Sequence, residues 1–234
     1  MNKIPFILIT GFLGSGKTTF LKNFLKKYNS RFKIGVIQNE FAPANVDSIE
    51  LKTEEFTINI LEVNNGSALC VCNLASFIPS LLKFINAYNP EIIVMECSGL
   101  TDPSNILELI ENPEIKEKIF ISNIFCIVNS GNIEKLLKIN TRVVNQVVMV
   151  DEILLNKIDL IQEETSCKYV IEKIREYNPF ATVHLSQYCN IIPEIRFFDN
   201  AEIYREKVKN LEIQNTRPQI EVKVIKTVKN IDIN

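Results

Sequence analysis

Continuous apolar runs alternate along the chain with longer amphipathic stretches. Seven runs read as strands: Ile4 to Ile9, Phe32 to Gln38, 57 to 63, 91 to 96, Ile121 to Val128, Asp151 to Leu155 and 181 to 185. Most are apolar at successive positions, the pattern of a strand buried on both faces. Helical periodicity fills gaps between them. One helix begins at Lys17 and places Phe20, Leu21 and Phe24 on one face. Others are predicted to run through Asn89, over 141–149 and over 163–177. This alternation predicts an α/β fold with a mostly parallel sheet and helices on both faces. The segment 201–234 begins charged and closes in a near-alternating pattern from Ile220 to Val228. It is expected to add one helix and one edge strand to a domain spanning 1–200.

The turn after the first run carries the clearest chemistry. Gly11-x-x-x-x-Gly16-Lys17-Thr18 is the P-loop spacing, set between a strand and a helix as the motif requires. Gly11, Gly14 and Gly16 let the backbone curl so that N–H groups, that of Ser15 among them, point at a phosphate. The helix N-terminus adds its positive dipole end. Lys17 reaches the β- and γ-phosphates, and the Thr18 hydroxyl, followed by Thr19, suits Mg²⁺. The fold class sharpens to a P-loop NTPase three-layer sandwich.

Polar groups then recur at strand ends, the edge where ligands sit in a doubly wound sheet. After the second run come Asn39, Glu40 and, further on, Asp47, read either as solvated loop acids or as groups that touch Mg²⁺ or orient a water. Cys70 and Cys72 precede a helix at a spacing that can chelate a soft metal as thiolates. Cysteine is also a common buried small residue. The fourth run ends Glu96-Cys97-Ser98-Gly99, where an acid would hold Mg²⁺ through water and a glycine N–H would approach a γ-phosphate. The sixth ends Asn156-Lys157-Ile158-Asp159. There the Asp carboxylate accepts from guanine N1–H and the exocyclic amine, the Lys stem covers the base, and the Asn ties the base loop to the P-loop. His184, at a strand end, reads as packing or surface.

Composition narrows the class. The chain has 234 residues, is 46% hydrophobic and 23% charged, and carries a net charge of −2. No basic patch supports nucleic-acid binding, and no apolar run approaches the ~20 residues of a membrane span. The first run starts directly after Met-Asn-Lys, which leaves no room for a signal peptide. Six cysteines beside a nucleotide motif favour reduced thiols and a cytoplasmic location. The arginines stand singly, which argues against the arginine-rich lid of a small-molecule kinase.

Taken in order, Gly-Phe-Leu-Gly-Ser-Gly-Lys-Thr-Thr, Asn39-Glu40-Phe41, Glu96-Cys97-Ser98-Gly99-Leu100-Thr101-Asp102-Pro103 and Leu155-Asn156-Lys157-Ile158-Asp159 resemble the CobW family of P-loop GTPases. That family is similar to the nickel-insertion GTPases of the UreG and HypB type. Gln146 also fits its pattern. The resemblance implies a Mg²⁺-dependent GTPase that delivers metal to, or assembles metal or cobalamin centres in, client metalloenzymes or corrinoid proteins. A homodimer is among the assemblies it admits. It carries Gly14, Gly16, Lys17, Thr18 and Thr19 over as phosphate and Mg²⁺ residues, Glu40 and Asp47 as switch residues, and Glu96 as the Mg²⁺-side acid. Asn156, Lys157 and Asp159 become the guanine readers.

Several positions depart from the family. Asn73 stands where the metal motif has a third cysteine, Ala42 replaces a common glycine, and Asn129 replaces an aspartate. One histidine argues against a metal store. Cys97 is the candidate to replace the lost thiol: parallel strands ending near Cys70, Cys72 and Cys97 would let the three converge on Zn²⁺ or Co²⁺. The alternative is a small buried Cys97 and a regulatory switch that binds its partner and carries no metal.

Overall fold

In the computed structural model the described residues are 3–39, 59–63, 71–161, 164–199 and 203. They form one seven-stranded sheet in the order β3-β2-β4-β1-β5-β6-β7, every pair parallel. The strands are β1 (Ile4–Thr10), β2 (Ile34–Asn39), β3 (Asn59–Val63), β4 (Ile92–Glu96), β5 (Ile119–Asn129), β6 (Glu152–Asn156) and β7 (Thr182–Leu185). All seven predicted strands are present, with shifted ends. The second begins at Ile34 because Phe32 leaves the ladder and stacks on Phe197, ring centroids 5.6 Å apart. The fifth begins at Ile119, since the Ile4 N–H donates to the Lys118 carbonyl and starts the β1–β5 pairing early.

Among the described residues, one helix, α1 (Lys17–Tyr28), covers one face. It buries Phe20, Leu21, Phe24 and Leu25 against Ile7, Ile9, Val94 and Ile127. The other face carries α2 (Val71–Tyr88), α3 (Ile106–Glu111), α4 (Pro113–Lys116), α5 (Ile133–Ile139), α6 (Thr141–Val148) and α7 (Glu164–Tyr177). Their core includes Leu8, Ile37, Phe77, Leu81, Met95 and Val147. Helices α3, α4 and α5 were not expected from the sequence. They are short, and α4 rests on its cap: Asn112 Oδ1 accepts from the Glu114 and Ile115 N–H groups, with proline at the first position. Asn140 caps α6 in the same way.

After β7 the chain runs as a strap back beneath α1. Lys27 Nζ donates to the Ile192 carbonyl, and the Tyr28 hydroxyl donates to Glu194 Oε2 at 3.0 Å. Arg196 then donates its backbone N–H to Asn123 Oδ1, and its guanidinium spans Asp151 and Glu152 at 3.1 and 3.0 Å. His184 sits beside this cluster, with Nε2 2.6 Å from Glu152 Oε2. The expected helix and edge strand of 201–234 lie outside the described residues, Ile203 excepted. Among the described residues no helix is long and apolar enough to cross a membrane.

Candidate nucleotide and magnesium site

The C-terminal ends of β1, β4 and β6 meet around the start of α1. Gly16 occupies the helix N-cap at φ 110°, and no side chain caps the first turn. A Cβ on Gly16 would lie 2.6 Å from Asn156 Nδ2, so both its backbone angle and its neighbour require glycine. An uncapped N-terminus at a glycine-rich turn is an anion-binding arrangement. Gly11 and Ser15 are buried in this turn, while Gly14 and Thr19 are exposed. Lys17 is 8% exposed and donates from Nζ to the Phe12 carbonyl at 3.2 Å, lying back along its own loop.

Thr18 and Glu96, both read from the sequence as Mg²⁺ residues, lie together. The Thr18 hydroxyl donates to Glu96 Oε1 at 2.8 Å, across α1 and the last residue of β4. Two hard oxygen donors at this separation, beside a phosphate cradle, fit the donor set Mg²⁺ prefers. The turn after Glu96 packs on the P-loop: a Cβ on Gly99 would meet the Leu13 backbone nitrogen at 2.6 Å. Helix α6 holds the turn from behind. Gln146 Nε2 donates to the carbonyls of Gly99 and Thr101 at 3.3 and 3.0 Å, and Asn145 Nδ2 donates to Asp102 Oδ2 at 2.9 Å.

The Asn156–Asp159 loop is fastened to the same frame. Asn156 Nδ2 donates to the Ser15 carbonyl at 2.9 Å. Lys157 adopts φ 63°, a left-handed backbone that costs a non-glycine residue energy and marks a constrained site. Its carbonyl accepts from the Ser130 hydroxyl at 2.9 Å. Asp159 lies exposed in the short turn that follows.

One contributor escaped the sequence reading. The loop after β7 folds against the P-loop: the Cys189 N–H donates to Asn156 Oδ1 at 3.1 Å, and the Cys189 thiol donates to the Gly16 carbonyl at 3.4 Å. Tyr188 and Cys189 are both left-handed, at φ 51° and 52°. Asn23 Nδ2 grips both of their carbonyls, at 3.0 and 2.9 Å. Only Asn190 hints at a turn here, because the contacts are all long-range.

Of the three thiols expected to converge, Cys97 alone has its side chain among the described residues. Cys97 is 1% exposed within the apolar core on the α2–α7 face. Burial pushes its thiol far above the ordinary range, and Lys17 only partly offsets this. Cys72 falls within α2, with its side chain outside the described set, and Cys70, Glu40 and Asp47 lie outside it altogether. Among the described residues no three His, Cys, Asp or Glu groups form a metal site.

A parallel sheet with a P-loop, a strand-end acid and an Asn-Lys-x-Asp loop defines the P-loop NTPase class. More closely, the chain belongs to the CobW/HypB/UreG family, whose nucleotide-binding domain matches residues 5–184. It is 35% identical over 140 residues to the zinc chaperone CobW of Sinorhizobium sp, covering 56% of this chain and 38% of that one. It is 29% identical over 216 residues to the zinc chaperone YjiA of Escherichia coli, covering 89% of this chain and 65% of YjiA. The crystal structure of the Zn(II)-bound YjiA GTPase from E. coli superposes with a TM-score of 0.59 at 24% identity, over 79% of this chain and 57% of that one. The chain thus spans between 38% and 65% of the length of these two curated relatives.

Proposed function

We propose that this chain is a Mg²⁺-dependent GTPase that uses its nucleotide cycle to hand a transition metal to a client metalloprotein or metal-centre assembly. The carrying observation is the 2.9 Å bond between Asn156 and Ser15, which sets the base reader and the phosphate cradle in one rigid frame. The names of the relatives, both zinc chaperones, support zinc as cargo.

The residues divide the work. Asp159 accepts from the guanine edge, a pairing that adenine cannot supply, while Lys157 covers the base. Lys17 exchanges the Phe12 carbonyl for phosphate oxygens, and Thr18 with Glu96 holds the magnesium. That ion supplies neutralisation of charge building on the β- and γ-phosphates. The Gly99 N–H faces the γ-phosphate, and Glu40 and Asp47 act as switch residues. Arg196 is engaged by Asp151 and Glu152, and no arginine lies in the P-loop or the 96–102 turn. Intrinsic turnover is therefore slow, below ~1 s⁻¹. Cys70 and Cys72 hold the metal, and the client completes the coordination.

Burial of Cys97 favours a second reading, a partner switch that carries no metal, because it removes the thiol expected to replace the missing third cysteine. Zinc titration of the full chain with GDP and with a non-hydrolysable GTP analogue separates the two. Submicromolar binding that changes with nucleotide and is lost in Cys70→Ser supports the carrier. Binding no tighter than micromolar in either state establishes the switch.

A further inference from the structure

Behind the P-loop, between β5 and helices α5 and α6, lies a small cavity lined by Ser15, Asn132 and Gln146 and otherwise mainly by apolar side chains such as Ile133, Val143 and Val147. Its free volume is about 10 Å³. That is the space of one water-sized probe. Three polar atoms belonging to lining residues, Ser15 Oγ, Asn132 Oδ1 and Gln146 Oε1, are buried with no hydrogen-bond partner among the described residues. Ser15 and Gln146 are each 1% exposed.

We propose that these three residues bind one internal water, which ties the P-loop to the turn at Gly99–Thr101. The orientation of the Gln146 amide is fixed on its other side. Its nitrogen faces two carbonyls, those of Gly99 and Thr101, so an inverted amide would set oxygen against oxygen. The oxygen is thereby left for the cavity. Asn132 Oδ1 likewise only accepts, and the Ser15 hydroxyl can donate. Two acceptors and one hydroxyl match the two donors and the lone pairs of a single water. A cation is a poor match, because the largely apolar wall supplies too few oxygens to replace its hydration shell. A buried polar group left unpaired is costly, and water is how proteins relieve it where the chain cannot.

This water would add a second link between phosphate cradle and sensing turn, beside the packing of Gly99 on Leu13. It does not depend on the cargo, or on hydrolysis itself. A crystal structure of the full-length chain with GDP, at a resolution that shows ordered water, provides the test. The expected result is one density peak within hydrogen-bonding distance of all three atoms. Asn132→Leu fills the cavity with methyl groups and should remove the peak. It should also accelerate amide hydrogen exchange at Gly99–Thr101 by at least tenfold, with the rest of the sheet unchanged. A cavity without density in the wild type overturns the site. Loss of the peak with unchanged exchange overturns the link. If Asn132→Leu fails to fold, the wild-type density and the exchange rates of Asn132→Val, which keeps the direct Gln146 bonds to Gly99 and Thr101, decide.

Discussion

Asn156 and Ser15 lie 141 residues apart in the chain and are joined by a buried hydrogen bond of 2.9 Å. The same amide accepts the Cys189 N–H at 3.1 Å. One side chain therefore fixes the P-loop, the base loop and the loop after β7 in a common position. Asn156→Ala leaves a carbonyl and an N–H unpaired in the interior, at about 2 kcal/mol in total. For a chain of this size the melting temperature should fall by about 4–8 °C. Calorimetry of the two proteins checks this, and GDP affinity should fall in parallel.

The proposed function makes nucleotide choice rest on Asp159. GTP and GDP should bind at least 100-fold more tightly than ATP and ADP, since an unmatched buried or partly buried hydrogen-bonding edge is what gives such sites their selectivity. Asp159→Asn should relax the preference, because an amide cannot accept both guanine donors. Fluorescence titration with labelled nucleotides measures it. Equal affinity for ATP and GTP in the wild type would refute the base-reading assignment.

The Thr18–Glu96 contact of 2.8 Å predicts a magnesium defect. Thr18→Ala removes one oxygen donor and should raise the Mg²⁺ concentration for half-maximal hydrolysis at least tenfold, with a smaller effect on Mg²⁺-free GDP binding. An unchanged requirement would show that the ion is held elsewhere.

Alkali should weaken the fold through its buried thiols. Burial raises the Cys126 thiol from its ordinary 9.0 to about 12. The folded state then holds a proton that the unfolded chain loses first. The stability this provides is full below pH 9 and is lost as the pH climbs towards 12. Cys126→Ala should show a flatter fall in denaturant midpoint across that window than the wild type. Parallel curves for the two proteins would mean that other groups account for the decline.

Much of this architecture was legible because the informative residues are local. The apolar runs marked all seven strands, and Lys17, Thr18, Glu96 and Asn156 each sit at a strand end or helix start where spacing alone declares them. The closeness of Thr18 and Glu96 follows from the parallel pairing of β1 and β4, since α1 begins just beyond β1 and Glu96 ends β4. The short helices were missed for a different reason. With 6, 4 and 7 residues, α3, α4 and α5 offer too few turns for a helical period to show, although Asn112-Pro113 is a capping signal. The reach of Cys189 to Gly16 had no signal, because it depends on how the segment after β7 crosses α1. Cys97 illustrates the limit of reasoning from strand ends. Topology put it at the right edge, but side-chain direction, which alternates from Glu96, turned it into the core on the opposite face.

The strap after β7 has one further consequence. It starts against Gly16 and Asn156 and finishes at Asn123, Arg196 and Phe197, beside the beginnings of β5 and β6 and the lead-in to β2. Residue 199 therefore lies at the rear of the sheet, about one strand length, ~17–20 Å, from the P-loop. A change at Arg196 or Phe197 has a continuous path of contacts back to Gly16 and Asn156.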